Sequence, residues 1–314
     1  MARMNYGAAA CAALERAMAA DARVVALGED VGRGGVFGQY RGLQQKFGAS
    51  RVIDTPISES TIMGAAVGMA LTGLKPVVEM RVVDFALCAI DEIVNQAAKA
   101  RYMFGGQGRV PLVARLPIGL WSGSAAQHSQ SLEAWFAHVP GLVVVTPGTP
   151  QDNHSLLSAA IDSGDPVIYM EHKELWGLEG EVIPEEKISL GKAKILQAGS
   201  DVTLVTWSRT LQAALEAVKQ AKGVSVELID LRTIWPWDRD TVLASAAKTK
   251  HLVVAHEAVR VAGVGAEIAA TVAEELGIAV KRVGGARIPV GYSRPLEDEA
   301  RIDVDAIVKA LTHF

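Results

Sequence analysis

The sequence predicts an α/β protein built as two doubly wound units, and three observations carry that prediction. Apolar segments of strand length alternate with stretches whose apolar residues recur at three-to-four spacing, and parallel strands need such helical crossovers. With 314 residues the chain has room for about two domains. The alternation lapses once, between 171 and 191, in the charged, Gly- and Pro-bearing stretch EHKELWGLEGEVIPEEKISLG. Read as an interdomain linker, that stretch sets the units at 1–180 and 191–314.

Taken in order, an Ala-rich amphipathic helix opens the chain and RVVAL at 23–27 reads as a buried strand. Gly28, Gly32, Gly34, Gly35 and Gly38 then fill a long loop. A strand at 51–54 runs into Pro56-Ile57-Ser58-Glu59 and a helix over 61–71. Residues 75–80 are strand-like, 85–100 carry helical spacing, and 111–116 form another strand. Beyond the linker, strands at 202–207, 224–231, 251–256 and 280–283 alternate with helices at 211–221, 241–247 and 266–276.

Composition narrows the function. Half of the residues are hydrophobic, which ordinary cores of a chain this long absorb without a disulfide or structural metal. A net charge of −4 argues against a surface that neutralises phosphates, so nucleic acid is not expected as a partner. The two cysteines, Cys11 and Cys88, lie far apart in apolar surroundings and build neither a disulfide framework nor a CxxC site, which points to the cytoplasm. Arg3 and the small apolar run 7–14 imitate a signal peptide, but Glu15 and Arg16 follow directly and the amphipathic pattern continues. Asp84 and Asp91 interrupt the longest apolar candidate for a membrane span.

Three segments carry candidate chemistry. Asp54-Thr55-Pro56-Ile57-Ser58-Glu59-Ser60 lies where a strand ends and a helix begins, the edge at which open α/β sheets bind ligands. There Glu59 is either a functional carboxylate favoured in its ionised form by the helix dipole, or simply the first turn of a helix capped by Ser58. AAQHSQS at 125–131 presents His128 at the start of another helix, as a proton carrier or as a loop histidine bonded to a carbonyl. His138, in that following helix, reads as a packing residue. His154, His172, His251, His256 and His313 have no metal-ligand spacing. Gly263-Val264-Gly265-Ala266-Glu267 is a structural turn or a weak phosphate loop, lacking the third glycine and the later acidic residue of a nucleotide fingerprint. Neither a P-loop nor a GxSxG elbow is present.

Several strings together are more specific than spacing: GEDVGRGGVFGQYRGLQQKFG from Gly28, RVIDTPISES from Arg51, GLKPVVEM from Gly73, VNQAAKARYMFGG from Val94, QHSQSLEAWFAHVPGL from Gln127 and ELIDLRTIWPWD from Glu227. With them the chain closely resembles, over essentially its whole length, the beta subunit of the decarboxylating first component of thiamin-diphosphate-dependent 2-oxo acid dehydrogenase complexes. That family acts on pyruvate, branched-chain 2-oxo acids or acetoin. The resemblance implies a transketolase-like pyrimidine-binding domain followed by a transketolase C-terminal domain. It implies that Glu59 hydrogen-bonds the cofactor ring nitrogen N1′, that Ile57 lines the cofactor pocket and that Phe85 packs against the pyrimidine. His128 matches the histidine thought to assist acyl transfer to a lipoyl group. A potassium ion would be held mostly by backbone carbonyls at Leu112, Ala160, Ile161 and Asp165.

The chain departs from the family at two places. Ser163 stands where relatives commonly carry aspartate, beside the cation site, and Arg81 replaces the usual Gln or Met near the pyrimidine, where it would bind an anionic substrate or face outward. The GDG…N motif for the diphosphate and its Mg²⁺, a hard cation that takes oxygen ligands, is missing. The resemblance therefore implies an alpha subunit holding Mg²⁺ in an α2β2 heterotetramer, with the lipoyl domain of a dihydrolipoamide acyltransferase as acyl acceptor. Two other readings stand beside it: part of a split transketolase acting on sugar phosphates without lipoamide, and a non-catalytic α/β protein binding nucleotide or flavin.

Overall fold

The computed structural model describes residues 1–314. In chain order the first half runs β1 (Ala2–Asn5), α1 (Tyr6–Ala20), β2 (Val24–Gly28), α2 (Leu43–Phe47), β3 (Val52–Asp54), α3 (Glu59–Leu71), β4 (Lys75–Glu79), α4 (Ala98–Met103), β5 (Val113–Arg115), α5 (Glu133–Ala137), β6 (Val143–Val145), α6 (Pro150–Asp162), β7 (Val167–Tyr169) and β8 (Glu179–Val182). The second half runs β9 (Lys194–Gln197), β10 (Val202–Thr206), α7 (Thr210–Gln220), β11 (Val226–Asp230), β12 (Thr233–Trp235), α8 (Arg239–Thr249), β13 (His251–Val259), α9 (Val264–Leu276), β14 (Ala279–Gly285), α10 (Arg294–Ala300) and α11 (Val304–Thr312).

Two sheets dominate. The first has the order β12-β6-β7-β5-β4-β2-β3, parallel except at the edge strand β12; the second is β14-β13-β10-β11-β9, parallel except at β9. The reason lies in the strands themselves. VVALG, VTLVT and VELID are buried at every position, as strands covered by helices on both faces must be. The predicted α/β class and the doubly wound character of both units are therefore present.

The units share material, however. After β11 the chain leaves the second sheet, and β12 pairs antiparallel with β6 of the first, Thr233 opposite Val145. The largest apolar cluster likewise passes from Met63 and Phe136 through Met170 to Trp207, Ile229 and Ile268. Anchored this way, the second sheet cannot drift from the first without exposing that core.

Three expectations need correction. The stretch 171–191 is not a free linker: Glu171, His172 and Lys173 are buried, and β8 pairs antiparallel with β1. The helix expected over 85–100 is a 3-10 turn at Phe85–Ala89, a π-helical segment at Glu92–Ala97 and then α4. His138 is exposed rather than packed, because α5 ends at Ala137 and turns the imidazole to solvent.

Burial of Glu171 has a clear cause. Arg115, fully buried, donates to both of its carboxylate oxygens at 2.8 Å, and Asn153 adds a third bond at 2.9 Å. The other face of the guanidinium lies over Tyr40, 4.9 Å from the ring centre. Near this pair sits Glu79, buried against Tyr40 and Gln39, and burial pushes its acid up to about 7 despite Arg115. A raised carboxyl is tolerated while protonated and loses stability as pH climbs from the ordinary Glu range through about 7. Glu79→Gln is therefore expected to stabilise the fold by up to about 3 kcal/mol at pH 8 and hardly at pH 4; denaturant unfolding at the two pH values checks this.

Candidate functional site

The carboxyl ends of β2, β3 and β4 lie side by side, with Gly28 opposite both Asp54 and Glu79. This is the ligand-binding edge of an open parallel sheet. Asp54 accepts the Gly32 amide at 2.7 Å, drawing the glycine-rich loop down over that edge. Glu59 opens α3, half-buried, where the helix dipole favours its charge. Ser58 occupies the capping position, but its hydroxyl donates to the Thr61 hydroxyl at 2.9 Å and bonds no backbone amide. Glu59 enters no hydrogen bond or ion pair of the chain, which leaves its carboxylate free for a ligand.

Charge is concentrated there. Glu29 is buried at the end of β2, and burial raises its acid; Arg81 pulls it down, while Glu59 and Asp30 push it further up. Arg81 reaches Glu29 at 3.8 Å and Asp30 at 3.5 Å. It neither faces freely outward nor stands uncommitted for an anion. Both Arg81 and Asp30 adopt left-handed backbone, at φ 47° and 57°, a strained choice that concentrates at functional sites.

Phe85 and His128 form the second wall. α3 packs against Phe85–Ala89, so the helix that Glu59 opens and the turn that Phe85 opens are neighbours. Ser60 donates to Glu92 at 2.6 Å, tying the start of α3 to the π-helical segment, a distortion common at functional sites. Ile57, beside Glu59, is 78% exposed. The loop bearing His128 starts at Gly119, where φ is +88° and a Cβ would lie 1.9 Å from His172. It closes through the Gly119 amide to the Gln130 carbonyl at 2.9 Å.

His128 itself is exposed and meets Phe85 edge-on, ring centres 5.1 Å apart. Its ring bonds no carbonyl; instead its own carbonyl accepts from Lys173. Gln130 donates to Asp84 at 2.7 Å. From the second unit, Glu257 accepts the Leu120 amide at 2.9 Å and His172 at 2.8 Å. Burial alone would raise Glu257, yet His172 and that amide hold it down to about 2.

The proposed cation ligands lie apart from this corner. Leu112 precedes β5, Asp165 precedes β7, and Ala160 and Ile161 end α6, all at the opposite edge of the first sheet. The Leu112 carbonyl accepts the Val167 amide at 2.8 Å and that of Ala160 accepts Ser163 at 3.2 Å, so each keeps a lone pair. One oxygen of the Asp165 carboxylate pairs with Arg101. No group of three His, Cys, Asp or Glu is placed to hold a metal. Gly263 and Gly265 pack where a Cβ would press on His256, at 2.8 and 2.7 Å, a structural reason for both. Sequence reasoning missed Glu29, Asp84, Lys173 and Glu257; only Glu29-Asp30, just beyond a strand end, carried a local signal.

Residues 2–177 match the family described as "Transketolase, pyrimidine binding domain", and residues 191–307 the family "Transketolase, C-terminal domain". Over 310 residues the chain is 44% identical to the mitochondrial pyruvate dehydrogenase E1 component subunit beta-2 of Oryza sativa subsp. japonica, spanning 95% of this chain and 82% of that protein. The chain belongs to the E1 beta-subunit family. Another beta subunit, of the acetoin:2,6-dichlorophenolindophenol oxidoreductase from Cupriavidus necator, is 43% identical over 305 residues, covering 91% of this chain and 90% of that one. A solved structure described as "Split gene transketolase, inactive beta4 tetramer" superposes with a TM-score of 0.82 at 22% identity, over 97% of this beta subunit and 95% of that chain, and shares the fold. The family and transketolase-like fold expected from the strings are borne out.

Proposed function

We propose that this beta subunit works with an alpha subunit, in an α2β2 heterotetramer in the cytoplasm, as a thiamin-diphosphate-dependent 2-oxo acid or acetoin dehydrogenase. It cleaves a C–C bond next to a carbonyl and passes the acyl fragment to the lipoyl group of a dihydrolipoamide acyltransferase. The observation that carries the reading is Glu59: a half-buried, unpaired carboxylate at the start of a helix that packs against the Phe85–Ala89 turn, in a chain of this family. When bound, thiamin diphosphate supplies the electron sink for the cleavage.

The corner suits the pyrimidine half of that cofactor. Phe85 offers a half-buried aromatic face, Ile57 an exposed apolar one, and Glu59 a carboxylate that holds a proton at N1′. His128 stands ready to carry protons toward the lipoyl sulfur. Mg²⁺ and the diphosphate fall to the alpha subunit, since the GDG…N motif that would hold them is missing from this chain. The main-chain oxygens at Leu112, Ala160, Ile161 and Asp165 are the neutral hard donors that potassium takes.

Relatives named for pyruvate and for acetoin are almost equally similar, so the substrate is decided by assay. Co-purified with its alpha subunit, the chain is expected to turn over pyruvate, a branched-chain 2-oxo acid or acetoin only when lipoamide or an artificial acceptor is supplied, and alone to be inactive. Ketol transfer between sugar phosphates without lipoamide would establish the split-transketolase reading instead.

A further inference from the structure

Lys173 has a setting that the assignment of Glu59 and His128 does not explain. It is 2% exposed, in the turn Lys173–Leu175, and its ammonium donates to the main-chain carbonyl of His128. A buried ammonium is costly to keep unless it does something. The carboxylates facing it come from three elements: Asp84 beside the Phe85 turn, Glu257 on β13, and Glu174 on its own turn. Two of these are already engaged, Glu257 by His172 and Glu174 by Arg209 and Arg301.

The His128 ring makes no hydrogen bond, so its place over Phe85 is set by its backbone. Two side chains hold this stretch: Lys173 bonds the main-chain carbonyl of residue 128 and, two residues on, Asp84 accepts from the Gln130 side chain at 2.7 Å. We propose that Lys173 is a positioning residue that fixes where His128 presents its imidazole, and so governs acyl transfer to the lipoyl group rather than cleavage of the substrate. The proposal rests on the reading of His128 given above. In that transfer the lipoyl S–S bond breaks and one sulfur bonds the acyl carbon, while the other leaves as a thiolate and takes the imidazole's proton; the bond that held the fragment to its carrier breaks with its electron pair returning to the carrier, the fragment's hydroxyl proton passes to solvent, and the two electrons the fragment gives up are those the disulfide gains. Displacing the proton donor slows this branch and leaves cleavage alone. Burial pushes the Lys173 ammonium down to about 8, opposed by Asp84 and Glu257, so the anchor weakens in alkali.

The test uses the assembled α/β enzyme and two assays on one substrate, with either the lipoyl domain or 2,6-dichlorophenolindophenol as acceptor. Lys173→Met is expected to cut lipoyl-dependent turnover by about 10- to 100-fold, the scale of a misplaced catalytic group, while dye-coupled turnover stays within about twofold. Wild type should lose lipoyl-dependent activity on an alkaline limb near pH 8. Lys173→Arg, which retains a charged donor at all working pH, should keep neutral activity and lose that limb. Added to His128→Ala, Lys173→Met should cost nothing more. A His128→Ala enzyme with normal lipoyl transfer would sink the reading of His128. Where His128→Ala is impaired, equal losses in both assays for Lys173→Met, or an unchanged limb in Lys173→Arg, would overturn the role of Lys173.

Discussion

Glu59→Gln in the assembled enzyme should lower turnover by about 10²–10⁴-fold, the range for a lost general acid or base. The amide keeps the size and reach of the side chain but cannot hold the proton that the carboxylate holds. No structural cost should accompany the loss. Glu59 has no partner within the chain to forfeit, and the helix-dipole contribution of a first-turn carboxylate is about 0.3–1 kcal/mol. Part of that is returned, because Glu59 is one of the charges pushing the Glu29 acid upward, and its neutralisation relieves Glu29. The expected signature is thus specific: a large fall in kcat, an unchanged melting temperature, and a Glu29 titration moved toward the ordinary glutamate range. Near-normal turnover in the reconstituted complex would remove Glu59 from the mechanism.

Much of this was legible because the strands that position Glu59 are continuous apolar runs. VVALG and VTLVT can only be buried parallel strands, and the structure ends them within a residue or so of the sequence reading. Shorter pieces escaped. VVV at β6 and VIY at β7 are too brief to show a period, and α6 announces itself only by its start, where Pro150 follows Thr149 and Thr149 accepts the Asp152 amide at 3.1 Å. Over 85–100 the spacing correctly gives an apolar face, but it does not report which carbonyl each amide will find, so the 3-10 and π-helical turns were invisible.

The charged stretch after Met170 misled for a different reason. Local reading treats Glu171, His172 and Lys173 as solvated, whereas their partners Arg115, Glu257 and the His128 carbonyl lie 56, 85 and 45 residues away. Glu59 and His128 were found through the DTPISE and QHSQS strings, and Phe85 through the family resemblance alone, because the local chemistry of the first two also fitted a helix start and a loop.

Arg115→Met should be the most destabilising single substitution. Removing one member of a fully buried, doubly hydrogen-bonded pair typically costs about 3–5 kcal/mol, because the other charge stays behind unpaired. Here two carboxylates are stranded, Glu171 and Glu79, since Arg115 is the one cation that holds Glu79 down against burial. A melting temperature lower by roughly 10 °C is expected, at about 2–4 °C per kcal/mol for chains of some hundreds of residues. The deficit should depend on pH in a definite sense. Without Arg115 the Glu79 acid rises further above about 7, so at pH 5 it is protonated and costs little, while at pH 8 it must ionise unpaired or bind a proton from dilute supply. Melting at both values separates this from simple loss of packing, which would lower both alike. Adding Glu171→Leu should restore most of the stability at pH 5, where Glu79 is protonated, as exchanging a whole buried pair for apolar side chains often does. A single Arg115→Met protein that melts like wild type at pH 8 would show that the pair does not hold residues after Met170 in the core.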